Sequence, residues 1–134
     1  MYCFDTDILS TVLKRNPPLA LIRRLAQIPA EEQFTTSITL GELLYGASKQ
    51  GGARLLERVR EVVLQAQHVL PFDELAAEMY GPLRASLESR GCPLDEPDLR
   101  IASIALSRNL TLVTGNLRHF ERIPDLRLEN WITT

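Results

Sequence analysis

The sequence predicts an α/β fold in which helices cover a mainly parallel central sheet. Short apolar runs alternate along the chain with longer stretches whose apolar residues recur at helical spacing. Parallel strands require crossover connections, and helices placed between strands supply them. A length of 134 residues, with 45% apolar and 24% charged residues, suits a single domain, which we expect to span residues 1–134.

The first half of the chain predicts two strand-to-helix units followed by a further helix. Each predicted strand is short and ends in polar residues, and each helix is marked by apolar residues three or four positions apart. Pro17-Pro18 and Gly51-Gly52 separate successive helices. The predicted strands are 2–4 and 33–36, and the predicted helices are 8–13, 19–28, 39–47 and 54–66.

The second half continues the alternation. Residues 97–106 are apolar nearly all round, which predicts a helix in a central position, buried on more than one side. The end of the helix before it is indicated by Gly91 and Pro93. The predicted strands are 68–71, 110–114 and 126–130, and the predicted helices are 75–87 and 97–106.

Composition excludes several classes of protein. A net charge of −2 gives no general attraction to nucleic acid, which argues against a passive DNA- or RNA-binding module. Cys3 and Cys92 show no metal-binding spacing, so we interpret them as reduced thiols. No signal peptide or membrane span is visible, so we expect a cytoplasmic protein. Serine-hydrolase, nucleotide-hydrolase and dehydrogenase motifs are also missing from the sequence.

Four polar residues stand at the ends of predicted strands and helices. Asp5 follows the first strand, Glu42 follows the second, Asp98 opens the buried helix and Asn116 follows the strand ending at Thr114. Because the carboxyl ends of parallel strands meet at one edge of a sheet, these side chains should converge there. Converging carboxylates repel one another unless a cation holds them, and oxygen ligands suit Mg²⁺ or Mn²⁺. The sequence therefore predicts a magnesium site.

Three of these acids also have structural interpretations. Asp5 or Asp7 could cap the first helix, and Asp7 fits that role better. Thr39 and Glu42 have the spacing of a capping box, so Glu42 could serve its own helix. Asp98 could be a first-turn acid favoured by the helix dipole. The joint placement of the residues favours the metal site.

Asn116 and the two histidines also have structural interpretations. Asn116 follows Thr114-Gly115 and is, by itself, an ordinary turn residue. His68 and His119 lie far apart in sequence with no nucleophile pattern nearby, so we interpret both as packing or surface residues.

Several segments in order along the chain resemble the successive motifs of the VapC group of PIN-domain toxins. The resemblance spans nearly the whole chain and is strong because the motifs occur in the expected order. The segments are 4–9 (FDTDIL), 37–46 (SITLGELLYG), 97–102 (PDLRIA), 112–120 (LVTGNLRHF) and the closing strand 126–131.

The resemblance implies a PIN-like three-layer α/β/α sandwich and the activity of a type II toxin: a Mg²⁺- or Mn²⁺-dependent endoribonuclease neutralised by a small cognate antitoxin. By the family pattern Asp5, Glu42 and Asp98 form the acidic triad, and Asn116 stands where a fourth acid or amide is common. We expect Asp5 and Asp98 to bind the metal. Glu42 would complete its shell or orient the attacking water.

The sequence departs from that pattern at two positions. Asp7 stands where Asn is frequent, and Asp95 stands where a small residue is common. Asn116 carries no charge, so we expect one firmly bound ion and at most one weak one. Arg100 and Arg118 are our candidates for phosphate contacts.

The partners expected are an RNA substrate, the antitoxin and a second copy of the chain. Helical apolar positions are more numerous than one sheet needs, which predicts a homodimer with an apolar groove for an amphipathic antitoxin helix. Two alternatives remain open: a catalytically inactive PIN-fold binding or regulatory protein, and a DNA-directed nuclease. The apolar positions are Leu19, Ile22, Leu25, Leu43, Leu44, Leu55, Leu56 and Val59.

Overall fold

The computed structural model describes residues 1–65 and 67–132, and its centre is a parallel sheet. In the described residues the sheet has five strands in the order β3-β2-β1-β4-β5, and each neighbouring pair is parallel. The first strand in sequence is therefore the middle strand in space. The strands are β1 (Tyr2–Phe4), β2 (Gln33–Thr36), β3 (His68–Leu70), β4 (Thr111–Val113) and β5 (Leu128–Glu129).

Helices cover both faces of this sheet, which confirms the predicted three-layer α/β/α architecture. A 3-10 turn at Ala30–Glu32 leads into β2, and a π-helical segment at Arg60–Gln65 continues α4. No helix within the described ranges is long and apolar enough to cross a membrane. The helices are α1 (Thr6–Val12), α2 (Leu19–Gln27), α3 (Ser37–Gln50), α4 (Ala53–Val59), α5 (Glu74–Ser89), α6 (Glu96–Ser107) and α7 (Leu117–Phe120).

The two central strands separate two apolar cores. Successive residues of a strand point to opposite faces, so Cys3 and Leu112 contribute to one core and Phe4 and Val113 to the other. The first core is closed by α5 and α6, and the second by α1, α2, α3 and α4. Packing on both faces fixes the direction of β1 and β4, and therefore the positions of the residues that follow them.

The prediction that the helix at 97–106 is central and buried is confirmed. Residues 101–105 of α6 are all buried, as is Leu99. The carboxyl-terminal half of this helix is enclosed, while its first turn, with Asp98 half-buried, reaches the edge of the sheet where the strands end.

Three details differ from the predicted elements. The helix predicted at 54–66 is α-helical only to Val59, and its predicted end at Ala66 lies outside the described residues. The terminal strand is limited to Leu128–Glu129. The one-turn helix α7 was not predicted, because four residues are too few to show a helical period.

Candidate functional site

The four residues selected from the sequence line one cavity of about 530 Å³ at the carboxyl edge of the sheet. The parallel strands β1 and β4 end side by side there, and α3 and α6 bring their first turns to the same edge. The structure thus brings the predicted residues together, and their catalytic and metal-binding roles stay predictions. The lining residues are Asp5, Thr6, Asp7, Ser10, Glu42, Asp98, Gly115, Asn116 and Phe120.

Asp5 caps α1 and at the same time lines the cavity. Its carboxylate Oδ1 accepts a hydrogen bond from the backbone N–H of Ile8 at 2.9 Å, and its backbone is extended as a helix cap requires. The expectation that Asp7 is the better cap is wrong, because β1 ends one residue before Asp5 and the helix starts directly after it. Asp7 lies in the first turn and is exposed.

Burial raises the pKa of Asp5 to about 7. The side chain is only 3% exposed, and removal from water disfavours the charged form. Hydrogen bonds from the Thr114 hydroxyl and the Ile8 N–H lower the pKa, while the negative charges of Asp7 and Asp98 raise it. Asp5 is therefore a carboxylate whose ionised form needs a positive charge nearby.

Glu42 contributes its carboxylate to the cavity and takes no part in capping. The cap of α3 is Thr36, whose hydroxyl oxygen accepts a hydrogen bond from the N–H of Thr39 at 3.0 Å. The alternative capping box of Thr39 and Glu42 does not form, because α3 begins at Ser37 and Thr39 already lies inside it. The Thr6 hydroxyl donates to Glu42 Oε1 at 2.6 Å, which orients the carboxylate.

Asp98 is in contact with a histidine that the sequence analysis had assigned to packing or to the surface. His119 Nδ1 lies 3.1 Å from Asp98 Oδ2. The His119 side chain is 43% exposed, so its interpretation as a packing or surface residue stands, and the contact with Asp98 is an addition to it. Its position three residues after Asn116, one helical turn on, was the available signal, and it had no meaning until α7 was known.

The loop after β4 brings Asn116 to the cavity through a tight backbone. The N–H of Asn116 donates to Thr114 Oγ1 at 2.9 Å, and its side chain makes no capping hydrogen bond to α7. At Gly115 a Cβ atom would lie 2.2 Å from Asp7 Oδ2, so glycine allows the carboxylate of Asp7 to pack against the loop.

The chemistry of the cavity fits a hard divalent cation. Its described lining residues carry four carboxylates, one amide and two hydroxyls, and none is Lys or Arg. Oxygen ligands of this kind suit Mg²⁺ or Mn²⁺, and PIN-domain ribonucleases in general depend on a divalent metal. Within residues 1–65 and 67–132, no three His, Cys, Asp or Glu side chains are grouped closely enough to hold an ion as they stand. Thr6 and Ser10 were missed by the sequence analysis.

The two arginines proposed for phosphate contacts have different surroundings. Arg100 Nε donates to Glu96 Oε2 at 3.0 Å, and its guanidinium lies over the rings of Phe72 and Tyr80. Arg118 is exposed on α7, next to the cavity-lining Asn116 loop. Arg118 is therefore the better placed of the two.

Comparisons with known proteins agree with this fold. The profile of the PIN domain matches residues 2–126. Ribonuclease VapC2 of Haemophilus influenzae is 38% identical over 131 residues, which make up 98% of each chain. The tRNA(fMet)-specific endonuclease VapC of Salmonella typhimurium is 38% identical over 130 residues, 97% of each chain. A chain in the crystal structure of VapBC2 from Rickettsia felis, bound to a promoter DNA fragment, superposes with a TM-score of 0.87 at 34% identity, over 97% of this chain and 98% of that one.

We expect Asp5→Asn to raise the free energy of unfolding of the metal-free protein by about 2–4 kcal/mol near pH 8. The pKa of Asp5 is about 7 in the folded protein and about 3.9 in an unfolded chain. The folded state holds this proton longer, so the wild type should lose stability as the pH rises from about 4 to about 7. Asn still accepts a hydrogen bond from the Ile8 N–H but carries no charge, so this contribution to the change of the free energy of unfolding with pH should disappear.

Urea unfolding in EDTA, from about pH 4.5 to pH 8, measures the effect. Asp125→Asn, at an exposed carboxylate outside the cavity, is the matched control. If the stability of the wild type and of Asp5→Asn varied with pH in parallel, burial would not raise the pKa of Asp5 to about 7.

Proposed function

Because the chain belongs to the PIN-domain family, within its VapC group of toxin ribonucleases, we propose that it is the toxin of a type II toxin–antitoxin system and cleaves RNA in the cytoplasm with Mg²⁺. Mn²⁺ is the expected substitute, and residues 1–134 act as one domain. The observation that carries the proposal is the convergence of Asp5, Glu42, Asp98 and Asn116 on a cavity whose described lining has no Lys or Arg.

Asp5 and Asp98 are the proposed metal ligands. Both carboxylates line the cavity, and the buried Asp5 gains most from a neighbouring positive charge. When bound, the divalent cation supplies charge that lowers the pKa of water and offsets the negative charge gathering on the phosphate. Asn116 adds an uncharged amide oxygen, which favours one firmly held ion.

Glu42 is the residue proposed to orient the attacking water or to complete the ligand shell. Thr6 fixes one oxygen of its carboxylate by a 2.6 Å hydrogen bond, so the carboxylate has a defined direction beside the cavity. The water attacks phosphorus directly and the P–O bond to the leaving nucleotide breaks, so no covalent enzyme intermediate is required. The net charge of −2 gives no general attraction to RNA, so Arg118 supplies a local contact to phosphate.

We expect MgCl₂ or MnCl₂ to raise the melting temperature of the wild type and to leave that of Asp98→Asn nearly unchanged. An ion bound only by the folded state stabilises it by about 2.7 kcal/mol at a hundredfold excess over Kd. Thermal denaturation with each salt, against the same ionic strength of NaCl, measures the shift. An equal shift in wild type and Asp98→Asn would remove Asp98 from the ligand set.

We expect the purified protein to cleave a mixed RNA pool in Mg²⁺ and not in EDTA. Asp5→Asn should lower the rate roughly a hundredfold or more, since even outer partners of metal ligands cost 10–100-fold. Asp125→Asn, which removes an exposed carboxylate elsewhere, should cleave like the wild type. Gel analysis of end-labelled RNA gives the rates.

The other outcomes of that assay select the alternatives. Equal cleavage by wild type and Asp5→Asn would reveal a contaminating nuclease. Faster cleavage of single-stranded DNA of the same sequence would identify a DNA-directed nuclease. No cleavage of either, by a protein that still binds its antitoxin, would identify an inactive PIN-fold regulator.

A second cavity supports an antitoxin partner. It has a volume of about 380 Å³, lies between α1, α3 and α4, and shares Thr6, Ser10 and Glu42 with the acidic cavity. An apolar helix seated there could extend a cationic side chain or its tail toward the carboxylates. The similar Rickettsia felis chain was solved as a VapBC2 complex, which supports this partner. The apolar lining residues of this second cavity are Leu13, Leu43, Ala47, Leu55 and Val59.

The helical apolar positions divide into core and surface. Leu43 and Val59 are buried, whereas Leu19 is 60% exposed. A further apolar pair on α5, Leu75 and Met79, is exposed one helical turn apart and is our candidate for the contact with a second copy of the chain. The remaining positions, Ile22, Leu25, Leu44, Leu55 and Leu56, are half-buried.

We expect a homodimer at micromolar concentration and, with the small protein encoded beside it, a stable toxin–antitoxin complex. Leu55→Glu should weaken binding of that small protein, because it places a charge in the apolar lining of the second cavity. Met79→Glu should weaken the dimer and leave antitoxin binding intact. Light scattering and co-purification measure the two effects. If the wild type is monomeric and does not bind the small protein encoded beside it, both proposed partners are excluded and the nuclease proposal stands.

A further inference from the structure

The short helix α7 brings an imidazole to a proposed metal ligand. His119 Nδ1 lies 3.1 Å from Asp98 Oδ2, and the two residues come from different helices, α7 and α6. A metal-binding carboxylate is ionised and can only accept hydrogen bonds, so in that role Asp98 requires the Nδ1–H tautomer of His119 as the donor. The contact therefore fixes one oxygen of Asp98.

The position of His119 is held at both ends of α7. On one side the N–H of Asn116 donates to Thr114 Oγ1 at 2.9 Å. On the other side the ring of Phe120 is 1% exposed and packs in the same apolar core as Leu99 of α6. These contacts anchor the backbone of the turn at both ends, and a residue that orients another requires such support.

We propose that His119 is a positioning residue for the divalent-metal site: its Nδ1–H holds Oδ2 of Asp98 so that the carboxylate keeps the orientation in which it binds the cation. The inference rests on the proposed function and deepens it. A carboxylate held by one donor loses less rotational freedom when it binds an ion. Outer-shell donors of this kind orient ligands in many metal sites. Thr6 holds Glu42 in the same way.

A purely structural role gives a different expectation. If the pair only attached α7 to α6, its loss would lower the stability of the metal-free protein, and the size of the replacing side chain would decide how much. If His119 positions Asp98, its loss weakens metal binding, and a replacement that keeps a donor at the Nδ1 position restores it. Asn is that replacement, because its side-chain amide nitrogen lies where Nδ1 lies in His.

Isothermal titration of the full chain with MnCl₂ alone tests the inference. We expect His119→Ala to bind Mn²⁺ about tenfold more weakly than the wild type and His119→Asn to remain within about threefold. His68→Ala is the matched control, since His68 is the other of the two histidines and is exposed on the edge strand β3. His119→Phe keeps a ring without the donor and replaces the Ala variant should that fail to fold.

Each result decides the matter. If the wild type binds Mn²⁺ and the two variants His119→Ala and His68→Ala bind it with equal affinity, the role of His119 is overturned and the metal site stands. Equal weakening in His119→Ala and His119→Asn would show that the donor is not what counts, and would also overturn it. No Mn²⁺ binding by the wild type would overturn both this inference and the proposed metal site.

Discussion

The hydrogen bond between the Asp5 carboxylate and the N–H of Ile8 is the interaction on which the rest of the site depends. It starts α1 directly at the end of the central strand, and it buries a carboxylate at the edge where all the strands end. Burial raises the pKa of this group, so the fold holds an acid in a place that favours its neutral form. A cation in the cavity would reverse that preference, which links the ion to the stability of the whole domain.

Each acid of the proposed triad is held by a donor from its own surroundings. Thr114 and the Ile8 N–H hold Asp5, Thr6 holds Glu42, and the third acid is held by the imidazole of α7. Among the described residues, no three acids are grouped closely enough to hold an ion as they stand, so the carboxylates must approach one another when an ion binds. Part of the binding free energy of the ion therefore goes into bringing the acids together.

The sequence was sufficient for the elements that depend on periodicity and for the residues at strand ends. The order of strands and helices, the buried α6 and the convergence of Asp5 with the other three residues all follow from those two signals. The helix caps could not be predicted from the sequence, because the choice between Asp5 and Asp7, or Thr36 and Thr39, depends on where a strand ends to within one residue. The contact of His119 was hidden for a different reason: it depends on α7, which is too short to leave a pattern.

The central place of β1 has a consequence for the synthesis of the protein. Its neighbours in the sheet are β2 and β4, and β4 (Thr111–Val113) is far along the chain from Tyr2–Phe4. A ribosome releases the amino-terminal part first, so the middle strand must wait for a partner that is translated much later. Until that strand and the loop after it have emerged, a nascent chain lacks the part of the acidic cavity formed by Gly115, Asn116 and Phe120. A nuclease with this topology becomes complete only when nearly all of this sequence has been translated.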